Sequence, residues 1–207
     1  MRVLIVDDHP IIVAGCGAML SSEGDIEVFD ARDAETGLAA FLAHRPDVTV
    51  VDISMPGVSG LELTRRILET DAEARIVVFS MNDDPIFAAR AIEAGAKGYV
   101  TKNDDPYLLL QAVREVGEGG VFLMPRIANQ LAFEKSGGAA VSPLAALTAR
   151  ELEILRMLGA GLGMAEIADA TQVSYKTIAN SCSIMKRKLG ARTPMELMKI
   201  ALEQKLA

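Results

Sequence analysis

The chain has 207 residues, 50% hydrophobic and 24% charged, with a formal net charge of −7. That is a globular, soluble composition with length for two modest cores. No stretch approaches the roughly 20 uninterrupted apolar residues of a membrane span. Asp7 and Asp8 cut the first apolar run short, so neither a signal peptide nor an anchor is expected. The two cysteines, Cys16 and Cys182, stand far apart in expected helices. They exclude a disulfide scaffold and a zinc knuckle, and fit a reducing cytoplasm.

Short, β-branched apolar runs come first: Val3–Val6, Val48–Val51 and Ile76–Phe79, with weaker candidates at Glu27–Phe29 and Gly98–Thr101. Strands buried on both faces have this texture, which predicts a parallel sheet covered by helices on each side. Amphipathic stretches alternate with them at Ile11–Leu20, Ala34–Ala43, Leu61–Glu69, Ile86–Ala94 and Tyr107–Val116. Asp84-Pro85 and Asp105-Pro106 each offer an N-cap followed by proline at the first helical position. The pattern is that of a doubly wound α/β domain of five strands.

Functional groups of such a sheet collect beyond the carboxyl ends of its strands. Asp7 and Asp8 end the first strand, Asp52 the third, Ser80 the fourth and Lys102 the fifth. In a 2-1-3-4-5 order the first and third strands are neighbours, so the three carboxylates converge. Carboxylates crowded in this way repel unless a cation sits among them, and Mg²⁺ suits oxygen ligands. A lysine and a hydroxyl facing that cluster complete a site for a dianionic phosphoryl group. His9 and His44 read as loop and turn surface, and Cys16 as a small packed hydrophobe.

A flexible tract at 134–143 reads as a linker, with a short helix at Pro125–Phe133 before it. The charge changes sign across this region. Residues 1–123 carry 10 Lys+Arg against 21 Asp+Glu, whereas 124–207 carry 11 against 7. An acidic front and a basic tail point to two domains with different partners. The tail is purely helical in pattern. Thr148/Glu151 and Thr193/Glu196 have capping-box spacing. A helix marked by Leu152, Leu155 and Leu158 precedes a short one at Gly163–Ala170, a turn at Thr171–Ser174 and a basic helix at Tyr175–Leu189. That layout is a helix-turn-helix. Ile178, Cys182, Met185 and Leu189 share one face of the last of these helices, and Lys176, Asn180, Ser183 and Arg187 another. The second face is cationic and hydrogen-bonding, as a helix entering the major groove of double-stranded DNA must be. A final helix, Pro194–Leu206, has more apolar residues than one stripe requires. Either one chain buries them all or a second copy covers the excess.

The runs Leu4–Pro10, Val51–Gly57 with Gly60, and Ala94–Ala96 with Tyr99–Lys102 resemble the receiver domain of two-component response regulators. Leu147–Leu155, Glu166–Ala168, Val173-Ser174, Lys176–Ile178 and Lys188–Ala191 resemble the LuxR-type DNA-binding domain. Together they resemble a response regulator of the NarL/FixJ type. The resemblance implies a flavodoxin-like receiver at 1–121, a linker at 122–143 and an all-α helix-turn-helix domain at 144–207. It implies that Asp52 accepts a phosphoryl group from a sensor histidine kinase. Mg²⁺ would be held by Asp7, Asp8, Asp52 and the backbone carbonyl of Ser54, with Asp8 ranked above Asp7 as a direct ligand. Lys102 and Ser80 would take phosphoryl oxygens, and Tyr99 would swing toward the space Ser80 leaves. DNA contacts would come from Lys176, Thr177, Asn180, Ser183, Lys186 and Arg187, with a homodimer forming on phosphorylation or on DNA. Ala165, Ala179 and Ser181 depart from the family by lacking its usual basic or His side chains, which predicts weak binding by a monomer. Two other readings stay open. One is a Mg²⁺-dependent phosphatase or phosphotransferase with an aspartyl nucleophile; the other is an adaptor whose helix-turn-helix no longer binds DNA.

Overall fold

A computed structural model describes residues 1–83, 85–125, 127–128, 143–171, 173–204 and 206. The chain divides into two compact units, Met1–Gly137 and Gly138–Ala207. No helix among the described residues is long and apolar enough to cross a membrane.

The first unit alternates β1 (Arg2–Val6), α1 (Pro10–Ser21), β2 (Glu27–Ala31), α2 (Ala34–His44), β3 (Val48–Val51), α3 (Gly60–Thr70), β4 (Ile76–Ser80), α4 (Pro85–Glu93), β5 (Gly98–Thr101), α5 (Tyr107–Gly117) and β6 (Phe122–Leu123). All strand pairs are parallel, in the order β2-β1-β3-β4-β5-β6. The runs with continuous apolar character are the central strands, buried along nearly their whole length. One sheet face packs Val3, Ile5, Val50, Val77 and Val100 against Leu109, Val113 and Val116 of α5 and Leu20 of α1.

Two expectations need correction here. The sheet has six strands rather than five, because Phe122 and Leu123 pair with Gly98 and Tyr99 and cover the edge of β5. Two residues followed by Met-Pro are too short a run to show a strand period. At Asp105-Pro106 the proline is the N-cap rather than the first helical residue, and the Asp105 carboxylate accepts the Tyr107 N–H at 2.9 Å from one position further out. Asp84, and the linker and short helix apart from residues 125, 127, 128 and 143, lie outside the described residues.

Register places the strand ends in step. Val6 pairs with Val51, and the chain beyond them stays joined through the Asp52 N–H donating to Val6 O at 2.9 Å. Ser80 pairs with Thr101, and the Lys102 N–H donates to Ser80 O at 2.8 Å. The loop after β3 then folds back so closely that a Cβ on Gly60 would lie 1.8 Å from the Asp52 carbonyl oxygen. Only glycine lets α3 start there.

The second unit has a 3₁₀ turn at Pro143–Ala146, then α6 (Ala149–Gly159), α7 (Met164–Ala170), α8 (Tyr175–Leu189) and α9 (Pro194–Glu203). Its core includes Leu152, Leu155, Ile167, Ile178, Met185, Leu197 and Ala201. Both arms of the Thr148/Glu151 capping box are present. The second box is only half made: Thr193 accepts the Glu196 N–H at 3.1 Å, but Glu196 reaches back to the Arg192 N–H at 2.7 Å. α9 ends at Glu203, short of the expected Leu206, whose N–H folds back onto Ala201 O at 2.9 Å. α8 ends on Gly190 with φ of 69°, a left-handed cap that glycine adopts without steric cost.

Replacing Gly60 with Ala should destabilise the first unit by at least about 2 kcal/mol through overpacking against backbone. Urea unfolding of the two proteins measures the loss, and an unchanged midpoint would contradict the close approach.

Candidate functional site

At the carboxyl edge of the sheet, β1, β3 and β5 deliver Asp7, Asp52 and Lys102 to one point. Lys102 Nζ lies 2.8 Å from Asp52 Oδ2 and 2.7 Å from Asp7 Oδ2. All three side chains are at most 2% exposed. Asp52 Oδ1 accepts the Ser54 N–H at 3.2 Å. Asp8, with its side chain 22% exposed, forms the rim.

His9 joins this cluster, which corrects its reading as plain loop surface. Its Nδ1 is 3.1 Å from Asp7 Oδ1, 3.0 Å from Asp8 Oδ1 and 3.9 Å from Asp52 Oδ2, although the ring stays 57% exposed. Its backbone N–H also donates to Asp7 Oδ1, at 3.0 Å. The signal was the adjacency of His9 to Asp7 and Asp8 at a strand end. His44 is also more than an exposed turn residue, since its ring stacks on Phe29 at 4.0 Å.

The electrostatics of the pocket are unbalanced. Burial pushes the Asp52 carboxyl above the ordinary aspartate range; Lys102 pulls the other way, and Asp7 adds to the rise. Burial alone would lower the Lys102 ammonium, but Asp52 and Asp7 outweigh it and hold it above the usual lysine range. One lysine is thus surrounded by more negative charge than it can neutralise. The pocket fits a hard divalent cation: one ligand atom from each of Asp7, Asp8, His9 and Asp52 lies within 4.8 Å of the others. Asp8 Oδ1 is buried without a hydrogen-bond partner among the described residues, even with His9 Nδ1 close by. The donor set is predominantly carboxylate oxygen, as Mg²⁺ prefers.

Ser80 ends β4 in full burial. Its Oγ accepts the Asn82 backbone N–H and the Asn82 Nδ2, each at 3.3 Å. Tyr99 is fully buried and its hydroxyl donates to Asn82 O at 2.6 Å. Without a phosphoryl group Tyr99 lies inside, fully buried. A buried phenol needs an acceptor, and the Asn82 carbonyl supplies one. Sequence reasoning passed over Asn82; its only local signal was a short polar side chain two residues beyond a strand-ending Ser.

In the second unit α8 presents Lys176, Thr177, Asn180, Ser183 and Arg187 as exposed residues, with Lys186 half-buried. Ile178, Cys182 and Met185 are buried on the opposite face, as the periodicity required. Two hydroxyls are engaged locally: Thr177 Oγ1 is 2.8 Å from Ser174 Oγ, and Ser183 donates to Ala179 O at 3.0 Å. Lys188 leaves the basic face altogether, its Nζ donating to Glu151 Oε2 at 2.6 Å.

Residues 3–114 match the response regulator receiver domain family, and residues 145–201 match the luxR family of bacterial regulatory proteins. The chain is 36% identical over 200 residues to the methanol utilization control regulatory protein MoxX of Paracoccus denitrificans, covering 96% of this chain and 89% of that protein. Among solved structures, a LuxR-family two-component response regulator from Aurantimonas sp. SI85-9A1 is similar at 38% identity and a TM-score of 0.62, over 65% of this chain and 97% of that one. RcsB from Salmonella enterica serovar Typhimurium, bound to a promoter in the presence of the phosphomimetic BeF3−, is similar at 26% identity and a TM-score of 0.63, over 97% of each chain.

The raised Asp52 carboxyl has a measurable consequence. At neutral pH its ionisation costs the folded state free energy, and only once pH falls below the ordinary carboxylate range is the group protonated both folded and unfolded. Asp52→Asn should therefore stabilise the metal-free protein at neutral pH. The gain should shrink as pH falls, and thermal unfolding in chelator across pH 4–8 measures it.

Proposed function

The chain belongs to the two-component response regulators that join a receiver domain to a LuxR-type DNA-binding domain, and from that premise we propose that Asp52 is its phosphoacceptor. Members of this family regulate transcription and are not enzymes, and this chain regulates transcription. The observation that carries the Asp52 assignment is the shared contact of Asp52 and Asp7 with a buried lysine, Lys102.

The donor is the phosphohistidine of a sensor histidine kinase. A carboxylate oxygen of Asp52 attacks phosphorus; the P–O bond forms as the P–N bond breaks, and the electron pair leaves with the donor imidazole. A carboxylate is a weak nucleophile, so positioning and charge neutralisation carry the step. Lys102, already on Asp52, transfers to a phosphoryl oxygen as a point charge. Asp7, Asp8, Asp52 and the backbone carbonyl of Ser54 would hold Mg²⁺, with His9 at the rim. When bound, the ion supplies positive charge against the incoming phosphoryl oxygens. Ser80 takes another of those oxygens and, with Tyr99, forms the switch.

The receiver spans 1–121 and the DNA-binding domain 144–207, with 122–143 as the connector; β6 ties the start of that connector to the first unit. α8 enters the major groove of double-stranded DNA. Lys176, Lys186 and Arg187 meet phosphates, and Asn180, with the less available Thr177 and Ser183, faces base edges. The exposed Met195 (78%) and Leu202 (55%) of α9 support a homodimer when the protein is phosphorylated or DNA-bound. Two-fold pairing there would set two copies of α8 on the half-sites of a dyad-related operator. Two unpaired thiols support a cytoplasmic location.

Asp52→Ala should abolish labelling by acetyl phosphate in Mg²⁺, measured by radiolabel or intact mass; retained labelling would refute the assignment. Exchanging Asn180 should change which sequence is bound, whereas Lys186→Ala should weaken all sequences alike and reduce the salt slope by about 1 in mobility shifts.

A further inference from the structure

We infer that Asn82 is a positioning residue whose side-chain amide aims the Ser80 hydroxyl hydrogen at the phosphoryl group, with Tyr99 as the reporter of that contact. The inference rests on Asp52 as phosphoacceptor and adds a residue to that site.

A serine hydroxyl has one hydrogen to donate and two lone pairs to accept with. At Ser80 both lone pairs face donors from one residue, the Asn82 backbone N–H and Nδ2, each 3.3 Å from Oγ. The hydroxyl hydrogen is what remains, and it can bond only to an acceptor. A phosphoryl group on the neighbouring strand end brings three acceptor oxygens. Asn82 thereby fixes the polarity of Ser80 before the group arrives, so no hydroxyl rotation or release from a competing acceptor has to accompany the transfer.

The same residue holds the other half of the switch. Tyr99 donates to Asn82 O at 2.6 Å, the shorter and stronger of the contacts. Any shift of Ser80 toward a phosphoryl oxygen draws on the 3.3 Å bonds and moves the 80–82 turn, whose carbonyl anchors Tyr99. Asn82 is 2% exposed, so water does not replace these bonds readily, and its Oδ1 has no partner among the described residues. A buried amide with an idle acceptor is costly to keep unless its donor end is needed. Alanine at this position would keep both backbone contacts and remove only the Nδ2 donor. This separates aiming the hydroxyl from merely building the turn.

The test uses the full chain labelled with 3-fluorotyrosine, with beryllofluoride and Mg²⁺ as the phosphoryl mimic. Of the three tyrosines only Tyr99 is buried, while Tyr107 and Tyr175 are 66% and 54% exposed, so its fluorine signal is separable. In the wild type, binding should displace the Tyr99 signal. In Asn82→Ala, beryllofluoride should bind with affinity within about threefold while the displacement falls below about a third. Ser80→Ala should lose as much, and the double variant no more than either, since residues acting through one bond are not additive. A wild-type displacement in Asn82→Ala, or losses that add in the double variant, overturns the inference. So does loss of beryllofluoride binding in Asn82→Ala, which would put Asn82 on the phosphoryl group itself. A wild-type chain that binds beryllofluoride with no displacement at Tyr99 overturns the coupling, whereas one that binds none overturns the Asp52 reading and this inference with it.

Discussion

The front half of the molecule is organised around Lys102, a single buried ammonium held between Asp52 and Asp7. Three parallel strands must end in register for those groups to meet, so the register of the sheet is also the geometry of the pocket. The arrangement is poor as a stabilising device. Removing two carboxylates and an ammonium from water costs several kcal/mol per ion, and their mutual attraction repays this only with full pairing. Here pairing is incomplete, since Asp8 adds another negative charge and the Asp52 carboxyl is still pushed up by burial. A pocket that is under-neutralised by its own residues favours positive charge, and with a cation bound it would tolerate the incoming dianion of the proposed reaction. Stability forgone at this edge is what makes the edge chemically useful.

Much of this was legible in the sequence because parallel strands leave a simple mark. Val3–Val6, Val48–Val51 and Ile76–Phe79 have apolar residues on both faces, which only a covered sheet can bury, and a polar residue at the end of such a run has to lie at the sheet edge. Asp7, Asp52 and Ser80 were thus placed by counting, and Lys102 by the weaker run Gly98–Thr101. α8 was equally readable, since Ile178, Cys182 and Met185 mark its buried face without ambiguity.

The parts that escaped are those set by distance in space rather than by period. His9 looked like a turn residue because adjacency to Asp7 and Asp8 does not by itself turn its ring nitrogen to within 3.0 Å of Asp8. Asn82 lies in a turn with no repeat to betray it, and its importance comes from two elements closing on it, β4 through Ser80 and β5 through Tyr99. β6 is two residues long and is held by the register of its neighbour. The Thr193/Glu196 pair has the right spacing for a reciprocal cap, yet the Glu196 carboxylate is taken by the N–H one residue earlier. Spacing is necessary for such a cap and does not decide which donor the side chain meets.

The tail half poses a charge problem that the fold sharpens. The stretch between Asp169 and Glu196 holds no acid, so every cation in it looks available for DNA. Folding removes one of them: Glu151, half of the capping box of α6, reaches Lys188 at 2.6 Å. Burial pushes the Glu151 carboxyl up, but Lys188 and the Thr148 contacts prevail and leave it below the usual glutamate range. That pair fastens α6 to α8 and leaves Lys176, Lys186 and Arg187 as the cations of the recognition helix. With Ala179 and Ser181 contributing no charge, a single copy neutralises few phosphates, and each one missing weakens binding on every sequence alike. On the proposed two-fold pairing, a second copy would add contacts without adding any residue to the first, because the second helix would bind at high effective concentration. With so thin a cationic face, DNA occupancy would depend steeply on such assembly.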